Sequence, residues 1–167
     1  PLIDSDGTYK GLLNYNAFAL NSFKILNPKR NDIFLTSISL IEKTLNATPI
    51  VAYDENDYFK CSIMVADDET ESTRKLLEEH SSENIVVVCG DRQDVQRLSI
   101  EAKVKALIVT HDYVVSKELI ELARKNHVSL LSGHDSTLKT AMLIEYSSPV
   151  SSMADPNVLP VHANDTL

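Results

Sequence analysis

Two His-Asp dipeptides, His111-Asp112 and His134-Asp135, and one Gly90-Asp91-Arg92 turn are the groupings in this 167-residue chain whose residue types could do chemistry. A histidine beside a carboxylate can act as a general base, and two such pairs could hold a metal ion. Both pairs fall where strands are expected to end, which is where α/β proteins place their ligands. Cys89 is the nearby nucleophile, but neither H-E-x-x-H nor C-x-x-C spacing occurs. The blander reading therefore leads: Asp135 caps the helix that follows it. Gly90-Asp91-Arg92 sits at a strand-to-helix turn, where backbone amides can receive phosphate. With a single glycine, and with Asp91 standing where the anion would lie, phosphate is the weaker reading. Asp91 is expected to be an N-cap, with Asp94 three residues on, and Arg92 to meet a carboxylate across an interface.

The elements that must position these residues follow from periodicity. Ile85–Val88 is an apolar run; Val95, Leu98 and Ala102 then share one helical face, and Ala106–Val109 is a second run. Strand, turn, helix and strand within so few residues form the crossover that neighbouring parallel strands require. The pattern continues outward, with helices over 67–80 and 116–126, a strand at 128–131 and a helix over 135–146. Upstream, strands are expected at 49–52 and 60–66, and a helix over 35–45 capped by Thr36 or Ser37. Tyr15–Phe23 reads as a helix and Val158–Val161 as a strand. Leu2-Ile3 and Tyr9–Leu13 read as a hairpin around Asp6-Gly7. The acidic run Asp67, Asp68, Glu69 and Glu71 suits the start of a helix dipole rather than a cation, which wants carboxylates converging from several directions. The fold class is α/β, layered, with a mostly parallel sheet.

Composition bounds the function. A net charge of −8 argues against a nucleic-acid partner. No apolar run approaches the roughly 18 residues of a membrane span. Cys61 and Cys89, the two cysteines, each lie in or beside an apolar run and are expected to be buried free thiols of a cytoplasmic protein. Both ends read as cut, the front holding the close of one unit and the back the opening of another.

Those ends resemble halves of CBS motifs. Residues 1–14, PLIDSDGTYKGLLN, look like a closing half, and residues 158–167, VLPVHANDTL, like an opening half. The middle resembles the DRTGG domain: Gly90-Asp91-Arg92 matches its Gly-Asp-Arg and Thr110 its later Thr-Gly-Gly, with His111 and Asp112 in place of the two glycines. Residues 136–144 resemble that domain's closing helix. The order CBS, DRTGG, CBS is similar to the regulatory region of CBS-containing family II inorganic pyrophosphatases.

The resemblance implies three segments: residues 1–27 closing a first CBS motif, 28–148 a DRTGG domain with a linker helix at 35–45, and 149–167 opening a second CBS motif. It implies a non-catalytic regulatory module that binds an AMP-, ADP- or ATP-type nucleotide and modulates an attached pyrophosphatase domain. Manganese or cobalt would belong to that catalytic domain, whose Asp-His-His motif is absent from this sequence. Asn14, Tyr15, Asn16, Asn157 and Val158 would hold the nucleotide, although Ala17 stands where the motif places a ribose-binding carboxylate. Asp91, Arg92 and Thr110 would serve an interface or the structure, in a homodimer joined through the DRTGG domain. The alternatives are a dimerising scaffold without a ligand and, more distantly, an independent hydrolase using the His/Asp loops.

Overall fold

Ile85–Cys89 is enclosed along its whole length, a state a strand reaches only when both faces of its sheet are covered. The computed structural model describes residues 1–13, 33–66, 70–79 and 81–154. The chain divides into two units, one formed by Lys29–Ser148 and the other by Pro1–Pro28 together with Pro149–Leu167.

The second of these contains a hairpin of β1 (Leu2–Ile3) and β2 (Tyr9–Gly11), paired antiparallel. Its turn places Gly7 at φ 85°, and the Asp6 carboxylate accepts the Thr8 amide at 2.9 Å. That bond holds the Asp6 carboxyl below its usual range. The expected helix at Tyr15–Phe23 and strand at Val158–Val161 lie outside the described residues.

The Lys29–Ser148 unit runs β3 (Phe34–Thr36), α1 (Ile38–Leu45), β4 (Thr48–Val51), β5 (Phe59–Val65), α2 (Thr70–Glu79), β6 (Ile85–Cys89), α3 (Gln93–Glu101), β7 (Ala106–Val109), α4 (Lys117–Asn126), β8 (Ser129–Ser132) and α5 (Thr137–Ile144). Its six strands lie in the order β3-β5-β6-β7-β8-β4. The central four are parallel and the two edge strands antiparallel. Alternation along β6 sorts the core. Ile85, Val87 and Cys89 meet Leu77, Val95, Leu98 and Leu119 from α2, α3 and α4. Val86 and Val88 meet Ile38, Ile41 and Ile144 from α1 and α5. Removing one of these side chains, as in Ile41→Ala, should lower stability by about 2–5 kcal/mol in equilibrium denaturation, the usual cavity cost.

Three sequence expectations are corrected. Leu35 and Thr36 are not helical: Phe34–Thr36 pairs with Phe59–Cys61, and the helix starts after Ser37, whose hydroxyl accepts the Leu40 amide. An edge-strand partner far along the chain overrides the local pattern there. Asp135 does not cap α5. Ser136 takes that place, accepting the Lys139 amide, while Asp135 pairs with the Lys139 ammonium at 2.6 Å. Nor does Asp91 cap α3, which begins behind Arg92 with no side-chain cap.

Cys61 and Cys89 are both fully enclosed free thiols, one in each of the two core clusters. Burial pushes the Cys89 thiol up to about 12 and Cys61 up still further. Thiol titration of the native chain should therefore detect no fast-reacting group, whereas the same assay in denaturant without reductant should detect both; a missing pair after unfolding would mean a disulfide.

Candidate functional site

The carboxyl ends of parallel strands point their backbone the same way, so the loops after β6, β7 and β8 gather along one edge of the sheet. That edge carries Gly90-Asp91-Arg92, Thr110-His111-Asp112 and Gly133-His134-Asp135.

Thr110 holds the edge together and is fully buried. Its amide and its hydroxyl both donate to the Cys89 carbonyl, at 3.0 and 3.1 Å, and the hydroxyl also lies 3.2 Å from that of Thr137 at the start of α5. Immediately after it, His111 and Asp112 adopt left-handed backbone, at φ 60° and 55°. These are the two positions where the DRTGG signature has glycine. A side chain there costs about 1–2 kcal/mol relative to ordinary helical backbone. Two amide bonds into the neighbouring loop secure the conformation: His111 donates to the Asp135 carbonyl at 3.2 Å and Asp112 to the Gly133 carbonyl at 3.0 Å. The Asp112 carboxylate then meets Nδ1 of His134 at 2.5 Å. So the histidine-carboxylate contact joins one dipeptide to the other rather than forming within either. The His111 ring packs instead near Tyr113, centroids 5.7 Å apart.

The first loop is also tied down. The Arg92 guanidinium donates to the Thr70 hydroxyl at 2.8 Å and to the Asp94 carboxylate at 3.0 Å, and Thr70 donates to the same carboxylate oxygen. The Thr70 hydroxyl first, and Arg92 second, hold the Asp94 carboxyl below its usual range. Arg92 therefore has partners inside its own domain, joining the start of α2 to that of α3, where the sequence suggested a carboxylate across an interface. Gln96, almost wholly buried, donates to the Gly90 carbonyl at 2.8 Å. Gly90 needs neither a left-handed backbone nor clearance: a Cβ there would meet only Tyr113, at an ordinary 3.7 Å. Asp91 is exposed.

Chemically the edge is poorly equipped for hydrolysis. Cys89 lies inside the core with its thiol held protonated near neutral pH. Among the described residues no three His, Cys, Asp or Glu side chains converge as metal ligands. The His134–Asp112 pair has no hydroxyl or thiol to activate within the contacts it makes. An apolar hollow of about 370 Å³ lies beside the opposite end of β6, lined by Ile33, Lys60, Ser62, Glu79 and Ile85.

Sequence reasoning brought Thr110, His111, His134 and Arg92 to one strand edge, but missed Thr70, Gln96 and Thr137, which carry no motif of their own. A hydroxyl at the first turn of each of two helices was the available signal. Asn14, Tyr15, Asn16, Asn157 and Val158 lie outside the described residues, as do Asp67, Asp68 and Glu69. No helix of the described residues is long and apolar enough to cross a membrane.

Comparison with known proteins finds similarity over nearly the whole chain. Residues 40–147 match the DRTGG domain. The cobalt-dependent inorganic pyrophosphatase of Clostridium perfringens is 31% identical over 166 residues, which is 99% of this chain but only 30% of that protein. The crystal structure of the CBS and DRTGG domains of the regulatory region of Clostridium perfringens pyrophosphatase, complexed with the activator diadenosine tetraphosphate, matches with a TM-score of 0.81 at 30% identity. That match covers 99% of this chain and 71% of the other.

Two outcomes are expected of the edge. His111→Gly should raise stability by about 0.5 kcal/mol, because the relief of left-handed strain exceeds glycine's extra unfolded-state entropy; equilibrium denaturation reads the change. Asp94→Asn should cost under about 1 kcal/mol at neutral pH, its side chain being half exposed. With a folded-state pKa below the unfolded one, the Asp94 contribution is complete above the ordinary aspartate range. It is lost as the pH falls through the depressed value. The variant and the parent should therefore converge in strongly acidic denaturation curves, and a constant gap down to the lowest pH would refute the assignment.

Proposed function

The chain belongs to the DRTGG domain family and is homologous to the regulatory region of a pyrophosphatase, and from that premise we propose that it is a nucleotide-sensing module that tunes an inorganic pyrophosphatase catalytic domain. The observation that carries the reading is similarity across 99% of the chain to a regulatory region whose crystal structure holds a dinucleoside polyphosphate activator. The chain spans 30% of the length of the curated relative, and the matching portion is the regulatory one. Manganese or cobalt belongs, in this reading, to the catalytic domain.

We assign residues 1–27 to the close of one CBS motif, 149–167 to the opening of the next, and 28–148 to the DRTGG domain between them. Asn14, Tyr15 and Asn16 would present side-chain and backbone donors to the ribose and phosphates of an adenine nucleotide, and Asn157 with Val158 would lie along the adenine. Ala17 removes a carboxylate from the ribose, so affinity at that half-site would rest on the phosphates. Asp91, Arg92 and Thr110 are assigned to the structure of the DRTGG domain, through which two copies would associate in the cytoplasm. Regulation would be differential binding: a ligand that favours one arrangement of the module shifts the catalytic domain by that difference in affinity and no more.

The test is made on the full-length gene product. At one hundred times its Kd, AMP, ATP or diadenosine tetraphosphate should add about 2.7 kcal/mol to stability. That corresponds to roughly 5–10 °C in melting temperature for a unit of this size. GTP should do less, since an adenine slot lined by backbone reads the exocyclic amine that guanine lacks at that edge. The same ligands should change the rate of pyrophosphate hydrolysis, while the 167-residue chain alone should hydrolyse none with manganese or cobalt. Equal shifts from all nucleotides would leave a generic phosphate site. Hydrolysis by the isolated chain would overturn the regulatory reading.

A further inference from the structure

Thr36 and Ser147 stand 111 residues apart in sequence, are 0% and 1% exposed, and share hydrogen bonds. The Ser147 hydroxyl donates to the Ile144 carbonyl at 2.6 Å. The single Thr36 hydroxyl proton is then shared between the Ser147 carbonyl at 2.9 Å and the Ser147 hydroxyl oxygen at 2.8 Å. Their location matters more than their strength. The chain passes between the two units twice, after Pro28 and after Ser148. Thr36 ends β3, the first described strand beyond the first crossing, and Ser147 is one residue short of the second.

Each of these segments is weakly held by itself. β3 is a three-residue edge strand paired on one side only, and Glu145–Ser147 is a single 3₁₀ turn. Short edges and terminal turns open at low free-energy cost. Bonding them to each other in a buried site makes the opening of one leave unpaired polar groups in the other. The same contact seats the neighbouring starts and ends of α1 and α5, which pack together over β6 and β7.

We propose that Thr36 and Ser147 form a clasp that makes β3 and the turn after α5 open and close as one element, so that a change driven by nucleotide reaches both segments together. The proposal rests on the nucleotide reading above for its ligand, but not for its mechanics.

Amide hydrogen exchange on the full-length gene product separates the two. Without ligand, Thr36→Val should speed exchange at least tenfold in residues 34–37 and also in 145–148, while β6 and β7 keep their parent rates. Thr36→Ser, which retains the hydroxyl, should restore both segments, and Ser147→Ala provides a second variant should Thr36→Val fail to fold. With saturating diadenosine tetraphosphate, the parent should change exchange in both segments by the same factor. In Thr36→Val the Kd from calorimetry should be unchanged while the two segments respond unequally. Acceleration confined to β3, or equal responses to ligand in the variant, would overturn the clasp. A parent that takes up no nucleotide sinks the CBS reading instead, and the ligand-free rates then decide the clasp by themselves.

Discussion

Four parallel strands, of which β6 and β7 are buried throughout and β8 nearly so, impose nearly everything else in the larger unit. Among themselves they pair with neighbours running the same way, and each such neighbour demands a crossover with a helix in it. Burial of β6 along its whole length requires helices on both sides, and α2, α3 and α4 on one face with α1 and α5 on the other supply them. The antiparallel edge strands β3 and β4 then close the sheet where no further crossover exists. A consequence of shared direction is that three loops arrive at one edge, which is why Thr110 can reach both Cys89 and Thr137.

The left-handed pair at His111 and Asp112 shows how a glycine-type turn persists without glycine. The family signature would meet that backbone at no steric cost. Here the strain is offset by two amide bonds into the loop after β8 and by the Asp112–His134 contact. Histidine and aspartate are among the residues that tolerate such backbone best. The side chains at those positions thereby face solvent at a strand edge, which is a reason they look catalytic in sequence and yet are explained by conformation.

Much of this was legible in the residues. Continuous apolar runs at 85–88 and 106–109 mark strands covered on both faces, and the spacing of Val95 and Leu98 marks the helix between them. The Gly-Asp-Arg and Thr of the middle, with the CBS-like ends, pointed to the family that the comparisons show. What periodicity missed was set by distant partners. Leu35 and Thr36 look helical until Phe59–Cys61 pairs with them. Asp135 and Ser136 are both good caps, and only the three-dimensional turn decides between them. Arg92 looked available to another chain because one of its partners, Thr70, precedes it by 22 residues and carries no charge, while the other, Asp94, read as part of the helix start.

The division of the chain also constrains how it is made. One unit is assembled from the first 28 residues and from Pro149–Leu167, with about 120 residues of the other unit between them. Synthesis at roughly 5–20 residues per second delays the second piece by on the order of ten seconds. An isolated two-stranded hairpin such as β1–β2 is marginal in water, whereas the intervening α/β unit can finish folding as it emerges. Between these two pieces the order of synthesis is therefore the reverse of the order of folding: the hairpin is made before the α/β unit, yet the unit it belongs to is complete only once residues 149–167 have followed.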